Sequence, residues 1–167
     1  MSYVKIWIHA VWGTKNRQPI LLKEKWNELF AHIKDNAKQK EIYIDTINGY
    51  VDHVHCLIAL NAEMSISKVM QLIKGEASFW VNKQQLFSAK LEWADEYYAA
   101  SVDESGIENV RRYINNQEAH HNKISFVEEY NDFLKQMGYE VMAKANTNTV
   151  DKIPAINDGV NKTISSL

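Results

Sequence analysis

The spacing of apolar residues switches between two periods along the first hundred positions, and that switching restricts the chain to a few architectures. From Val4 to Trp12, Val4, Ile6, Ile8, Ala10 and Trp12 alternate with Tyr3, Lys5, Trp7, His9 and Val11. Successive strand side chains point to opposite faces, and apolar residues on both faces read as a central strand. Gly13-Thr14-Lys15-Asn16-Arg17-Gln18-Pro19 ends it with turn chemistry. From Leu22 to Gln39 the period lengthens: Trp26, Leu29, Phe30, Ile33 and Ala37 form one helical stripe. Ile42, Ile44 and Thr46 then alternate with Tyr43, Asp45 and Ile47, and Asn48-Gly49 predicts a hairpin onto the following run. In that run, Val51 to Leu60, Val54, Cys56, Ile58 and Leu60 make one apolar face. Ile66, Val69, Met70, Ile73, Ala77 and Trp80 or Val81 mark a second helix, capped by Ser65 or Ser67. Gly75 interrupts it, marking close packing or backbone approach. Leu91-Glu92-Trp93 and Tyr97 to Val102 read as strand material with a turn at Ala94-Asp95-Glu96.

The order β-α-β-β-α-β followed by helices predicts an α+β fold, a ferredoxin-like or RRM-like antiparallel sheet with helices packed on it. A third helix opens at a capping box, Ser105-Gly106-Ile107-Glu108, and buries Ile107, Val110 and Ile114. A fourth opens at Ser125-Phe126-Val127-Glu128 and stops at Gly138. After Glu140 the periodicity fades, giving one domain over 1–140 and a polar, weakly ordered tail over 141–167. The fold hosts many functions, so function has to be argued from side chains.

His53 and His55 stand together on the second face of the Val51–Leu60 run. Two residues along a strand span roughly 6–7 Å, close enough for two imidazoles to converge on one metal ion. The other reading is two polar residues hydrogen-bonded near a strand end. His9 reads as a sheet histidine satisfied by a neighbour. On the third helix, Tyr113 and Gln117 are four apart, beside the buried stripe of Val110 and Ile114, where polar groups can meet the sheet's own. A boundary tyrosine with a wetted hydroxyl satisfies the same pattern. Arg111 and Arg112 suit phosphates or simply Glu108 and solvent. His121 is four past Gln117 and is a further candidate ligand, although His120 and His121 fit exposed helix-end positions.

Composition narrows the function classes. The formal net charge is -2, so nucleic-acid binding requires local clustering of Lys5, Lys15, Arg17, Lys68, Lys74, Arg111 and Arg112. The single cysteine, Cys56, excludes an internal disulfide and fits a reducing compartment. No signal-peptide pattern opens the chain and no run approaches the about 20 apolar residues of a membrane span, which predicts a soluble, cytoplasmic protein with no membrane partner. No GxxxxGK[ST] nucleotide motif is present.

Taken together these motifs resemble a family. His53-Val54-His55 is similar to the His-hydrophobic-His motif of the HUH single-strand endonucleases, and Tyr113-x-x-x-Gln117 to the helix of their one-tyrosine members, the IS200/IS605-type transposases. Trp12-Gly13-Thr14-Lys15-Asn16-Arg17, Asp52-His53-Val54-His55-Cys56-Leu57-Ile58, Leu72-Ile73-Lys74-Gly75 and Val110 to Gln117 fit in the same order, so the resemblance covers about residues 3 to 138. It implies an enzyme that cleaves and rejoins single-stranded DNA at transposon ends folded as hairpins. Tyr113 would be the nucleophile, forming a 5′-phosphotyrosine and freeing a 3′-hydroxyl. His53, His55 and Gln117 would hold a divalent metal, Mg²⁺ or Mn²⁺. Lys15, Arg17, Lys74, Arg111 and Arg112 would contact DNA. The family's homodimer would let Tyr113 and Gln117 of one subunit meet His53 and His55 of the other, with Gly106 as the hinge. Such chemistry is self-consistent: a metal neutralises phosphodiester charge, and a covalent tyrosyl intermediate conserves bond energy for rejoining without ATP. Two imidazoles alone also suit Zn²⁺; the amide oxygen of Gln117 favours harder ions. The competing functions are a non-catalytic nucleic-acid-binding module, a metal-dependent phosphoesterase for small substrates, and a domesticated relative acting on chromosomal repeats.

Overall fold

The computed structural model describes residues 3–120 together with four helical positions, Glu128, Asn131, Asp132 and Lys135. The chain divides into two compact units, Met1–Lys123 and Ile124–Leu167. The expected fourth helix lies outside the described residues apart from those four positions. The expected tail over 141–167 lies wholly outside them, and so does His121.

The first unit is built on four strands: β1 (Ile6–Gly13), β2 (Tyr43–Gly49), β3 (His53–Leu60) and β4 (Tyr98–Val102). They form one antiparallel sheet in the order β2-β3-β1-β4, so the histidine strand β3 is interior, hydrogen-bonded to β2 and β1. Helices α1 (Trp26–Gln39) and α2 (Ile66–Gln84) make the two crossovers, which is the α+β arrangement the period switching predicts. One sheet face, carrying Ile8, Ala10, Trp12, Ile44, Val54, Cys56 and Ile58, packs on the stripes of α1 and α2 in a single core. The opposite face carries Val11, Leu57, Ala100 and Val102, also buried, and beside them the buried Ile107, Val110 and Ile114 of α3 (Ile107–Asn115). β1 and β3 are therefore buried on both sides, as their two-sided apolar patterns require.

Several local expectations shift. Asn48 and Gly49 do not form the hairpin turn. They pair with His55 and Val54, and the turn comes at Tyr50 to Asp52, closed by Tyr50 N–H donating to His53 O at 2.9 Å. Gly49 is needed for space: a Cβ there would lie 2.3 Å from the His53 carbonyl oxygen. Leu91-Glu92-Trp93 is not a strand; Trp93 makes an isolated bridge to Thr14, and Lys15 N–H donates to Glu92 O at 2.8 Å. Asp103 caps the three-residue 3-10 turn Glu104–Gly106 that leads into the tyrosine helix, its Oδ1 accepting from Gly106 N–H (2.8 Å) and from the Ser105 hydroxyl (2.7 Å). Ser105 thus supports the cap and does not form the capping box itself. Gly106, expected as a hinge, is buried with right-handed helical angles. For α2 the cap is Ser65, which accepts from Lys68 N–H.

Candidate active site

Three histidines from two neighbouring strands meet on the α3-covered face. His53 pairs with Gly13 across the ladder, His55 with Val11, and His9 with Leu57. His9 and His55 are thus diagonal neighbours on one face, within reach of long side chains. All three are buried at 0–1% exposure. His9 Nε2 and His55 Nδ1 are 3.1 Å apart, and the two rings stack at 5.3 Å and 21°. The rings of His53 and His55 lie edge-to-face with centroids 5.0 Å apart.

The strand end that carries His53 is anchored from outside. Arg17 and Asp52 form an ion pair at 3.0 Å through Asp52 Oδ2, while Asp52 Oδ1 accepts from His53 Nδ1 at 2.6 Å. The loop holding Arg17 is left-handed at both Asn16 and Arg17, with φ of 55° and 57°. Thr14 ties that loop to the turn, its N–H donating to Asp52 O at 2.8 Å and its hydroxyl to Gln18 O at 2.7 Å. Burial lowers the pKa of His53, against the opposing pull of the Asp52 carboxylate. Burial alone takes His9 down to about 3, so it is neutral at physiological pH.

Helix α3 brings the tyrosine. Its ring meets His9 and His55 edge-on, with centroids 5.9 and 5.6 Å away, and its hydroxyl oxygen is buried. Two polar residues of β2 dock this helix. Arg111 Nε and Nη2 donate to Asp45 Oδ2 and Oδ1 at 2.8 and 2.7 Å, a bidentate pair. Asn48 Nδ2 donates to Ile114 O and Asn115 O at 2.9 and 3.2 Å, satisfying carbonyls at the helix end. The helix stops there: Asn116 is its C-terminal cap and Gln117 opens a separate short turn, α4 (Gln117–His120). Tyr113 and Gln117 are therefore not on one continuous helix as expected, yet the break leaves Gln117 fully buried. Its Nε2 donates to Tyr113 O at 3.3 Å, and its side chain lies close to His53. A single chain thus brings His53, His55, Tyr113 and Gln117 together.

Nδ1 of His53 faces Asp52 and Nδ1 of His55 faces His9, so Nε2 is the nitrogen of each ring that could hold a divalent ion, and the amide of Gln117 could be a third donor. Among the described residues no group of three or more His, Cys, Asp or Glu is placed to hold a metal.

The basic residues are more dispersed. Arg17 and Arg111 are engaged by Asp52 and Asp45, as described. Lys74, on α2 and so in the helix layer of the other face, donates to the carbonyls of Ala94, Asp95 and Glu96 at 2.6–3.4 Å, and burial lowers its pKa. Lys15 is exposed and 3.6 Å from Glu92, and Arg112 is exposed on α3 next to Asn109. Asp45, Asn48 and His9 carry no local sequence signal that ties them to the site, and Asp52 is marked only by its place beside the His53-Val54-His55 motif.

The family model for IS200-like transposases matches residues 2–117, a span holding the sheet, the three histidines, Tyr113 and Gln117. The chain belongs to this family of transposases. It is 25% identical over 115 residues to the ISDra2 transposase TnpA of Deinococcus radiodurans, covering 65% of this transposase and 81% of that relative. A Deinococcus radiodurans crystal structure assigned as a transposase superposes with a TM-score of 0.53 at 26% identity, over 70% of this chain and 95% of that one. The structure of a REP-associated tyrosine transposase bound to a REP hairpin has the same fold, with a TM-score of 0.53 at 17% identity over 74% and 73% of the two chains. No helix of this transposase, among the described residues, is long and apolar enough to cross a membrane.

Proposed function

We propose that this transposase cleaves and rejoins single-stranded DNA through a 5′-phosphotyrosine on Tyr113, at element ends folded as hairpins. The observation that carries the reading is the convergence, within one chain, of the Tyr113 ring on His55 and of Gln117 on His53. In cleavage, the Tyr113 hydroxyl gives up its proton to solvent, Oη attacks the phosphorus, the bond from phosphorus to the 3′-oxygen breaks, and that oxygen leaves as a 3′-hydroxyl after taking up a proton from solvent. Rejoining is the reverse attack by a 3′-hydroxyl, which releases the tyrosine. His53 and His55, with Gln117, would hold Mg²⁺ or Mn²⁺. The ion would supply charge stabilisation at the phosphoryl oxygens. The chain's own part is to fix the nucleophile: Asp45 and Asn48 hold α3 on the sheet, and the edge-on rings of His9 and His55 set the tilt of Tyr113. Because the Tyr113 hydroxyl is buried, a phosphodiester reaches it only after its cover opens.

Hairpin recognition is favoured by the fold shared with a transposase solved on a REP hairpin. The active species in this reading is a homodimer in the cytoplasm, with the tyrosine helix either held in cis, as one chain allows, or exchanged between subunits; mixing Tyr113→Phe with His53→Ala protein restores cleavage only if the helix is exchanged. The primary test is incubation with single-stranded hairpin DNA and Mn²⁺ or Mg²⁺, read on a denaturing gel. A covalent protein–DNA adduct lost in Tyr113→Phe and in His53→Ala is the expected result. Binding without an adduct across a range of element-end sequences would leave a non-catalytic DNA-binding module.

A further inference from the structure

His9 is a buried imidazole whose ring packs on Tyr113 but whose nitrogens the cleavage chemistry above does not use. It comes from β1, 46 positions before His55, and its Nε2 lies 3.1 Å from His55 Nδ1. One proton is shared across that contact, and its owner decides what His55 can do. If His9 donates, His55 carries its own proton on Nε2 and has no lone pair there to give a metal. If His55 donates from Nδ1, its Nε2 is a free-lone-pair ligand. His53 faces the same choice and Asp52 settles it, because a carboxylate can only accept from Nδ1 at 2.6 Å.

We propose that His9 is a positioning residue that accepts the Nδ1 proton of His55 and thereby presents His55 Nε2 to the divalent ion. The inference rests on the metal reading of the site given above. His9 suits the task on two counts. It is fully buried, so no water competes for the contact. It is stacked on His55 at 21°, which fixes the direction of the contact as well as its length. The two ligands then differ: His53 is backed by a carboxylate and His55 by a neutral ring, so His53 is the more basic donor of the pair.

His9 also touches the Tyr113 ring, so a variant must separate the acceptor from the ring. His9→Gln retains an acceptor oxygen and loses the ring, whereas His9→Leu loses both. The experiment reads imidazole tautomers by long-range ¹⁵N–¹H spectra of the metal-free, ¹⁵N-histidine-labelled full chain, and then titrates Mn²⁺ by electron paramagnetic resonance. The expected spectrum has His55 protonated on Nδ1. His9→Leu should weaken Mn²⁺ binding about 10- to 100-fold, the usual cost of removing a partner behind a metal-bound imidazole, and His9→Gln should recover most of it. A wild-type spectrum with His55 protonated on Nε2 overturns the proposal, and so does a folded His9→Leu protein with unchanged Mn²⁺ affinity. The wild-type tautomer decides the matter even if His9→Leu fails to fold. Absence of any Mn²⁺ binding by the wild-type protein overturns the metal reading instead, a result that the metal-free spectrum keeps separate.

Discussion

Two glycines offer the same substitution with opposite expected signs. At Gly49 an added Cβ would sit 2.3 Å from the His53 carbonyl oxygen, 3.2 Å from Val54 Cα and 3.3 Å from His53 C. All three atoms are backbone of the paired strand, and no side chain can rotate away to relieve the contact. Overpacking in a well-ordered region costs about 1–3 kcal/mol, and a rigid backbone obstacle puts Gly49→Ala at the upper end, about 3 kcal/mol. At Gly75, inside α2, an added Cβ meets nothing within 4 Å. There the methyl only raises helix propensity and restricts the unfolded chain, so Gly75→Ala should stabilise by about 0.4–1 kcal/mol. The two variants should therefore differ by about 4 kcal/mol, close to a thousandfold in the folding equilibrium. For a chain of this size that is roughly 6–12 °C lost in Tm for Gly49→Ala and 1–4 °C gained for Gly75→Ala. Urea unfolding followed by tryptophan fluorescence measures both. A Gly49→Ala protein within 1 kcal/mol of wild type would refute the close approach of β2 to β3. A destabilised Gly75→Ala protein would refute the open space over α2.

Two further predictions concern pH. Arg111 holds the Asp45 carboxyl below its ordinary pKa, so the pair's contribution is present above about pH 4 and is lost as pH falls through the lowered folded value. Asp45→Asn should accordingly be less stable than wild type at pH 7, with the gap closing below pH 3.8; parallel pH profiles would refute the pairing. His9 titrates near 3 when folded and near 6.5 when unfolded, so between those values the unfolded chain binds the extra proton and stability falls on acidification. One such histidine gives a slope that approaches about 1.4 kcal/mol per pH unit below pH 6, or about 1.6 kcal/mol between pH 6.5 and 5, and denaturation of His9→Gln over that range should show a correspondingly shallower slope.

The sequence made the layers legible because burial on a strand or helix leaves a periodic trace: β1, β3, α1 and α2 follow from spacing alone. The site was legible where it coincided with short motifs, His53-Val54-His55 and Tyr113-x-x-x-Gln117. His9 escaped because its meaning depends on which strand lies beside it, and a contact over 46 positions has no local signature. Asp103 escaped for a milder version of the same reason: Ser105 and Glu108 make a plausible capping pattern, but a three-residue turn at Glu104–Gly106 puts the start of the helix elsewhere.

The most consequential miss is one residue of register in β2. Simple alternation from Ile44, which faces the core opposite Ile58, would turn Thr46 and Asn48 toward the core and Ile47 toward the site. The ladder shifts between Ile44 and Thr46, so that Ile47 pairs with Cys56 and Asn48 with His55. That bulge reverses the faces of everything after it. Ile47 packs against the core, and Asn48 reaches the histidine face, where it caps the tyrosine helix. Asp45, the residue left over by the shift, takes Arg111 in both carboxylate oxygens. The bulge therefore lets one edge strand supply both polar contacts that dock Tyr113 over His55. Deleting Asp45 should remove the bulge yet leave Ile47 opposite Cys56 and Asn48 opposite His55, so it should cost the Arg111 pair alone, and its effect on Tyr113 placement should match that of Asp45→Ala, which keeps the bulge and loses the same pair.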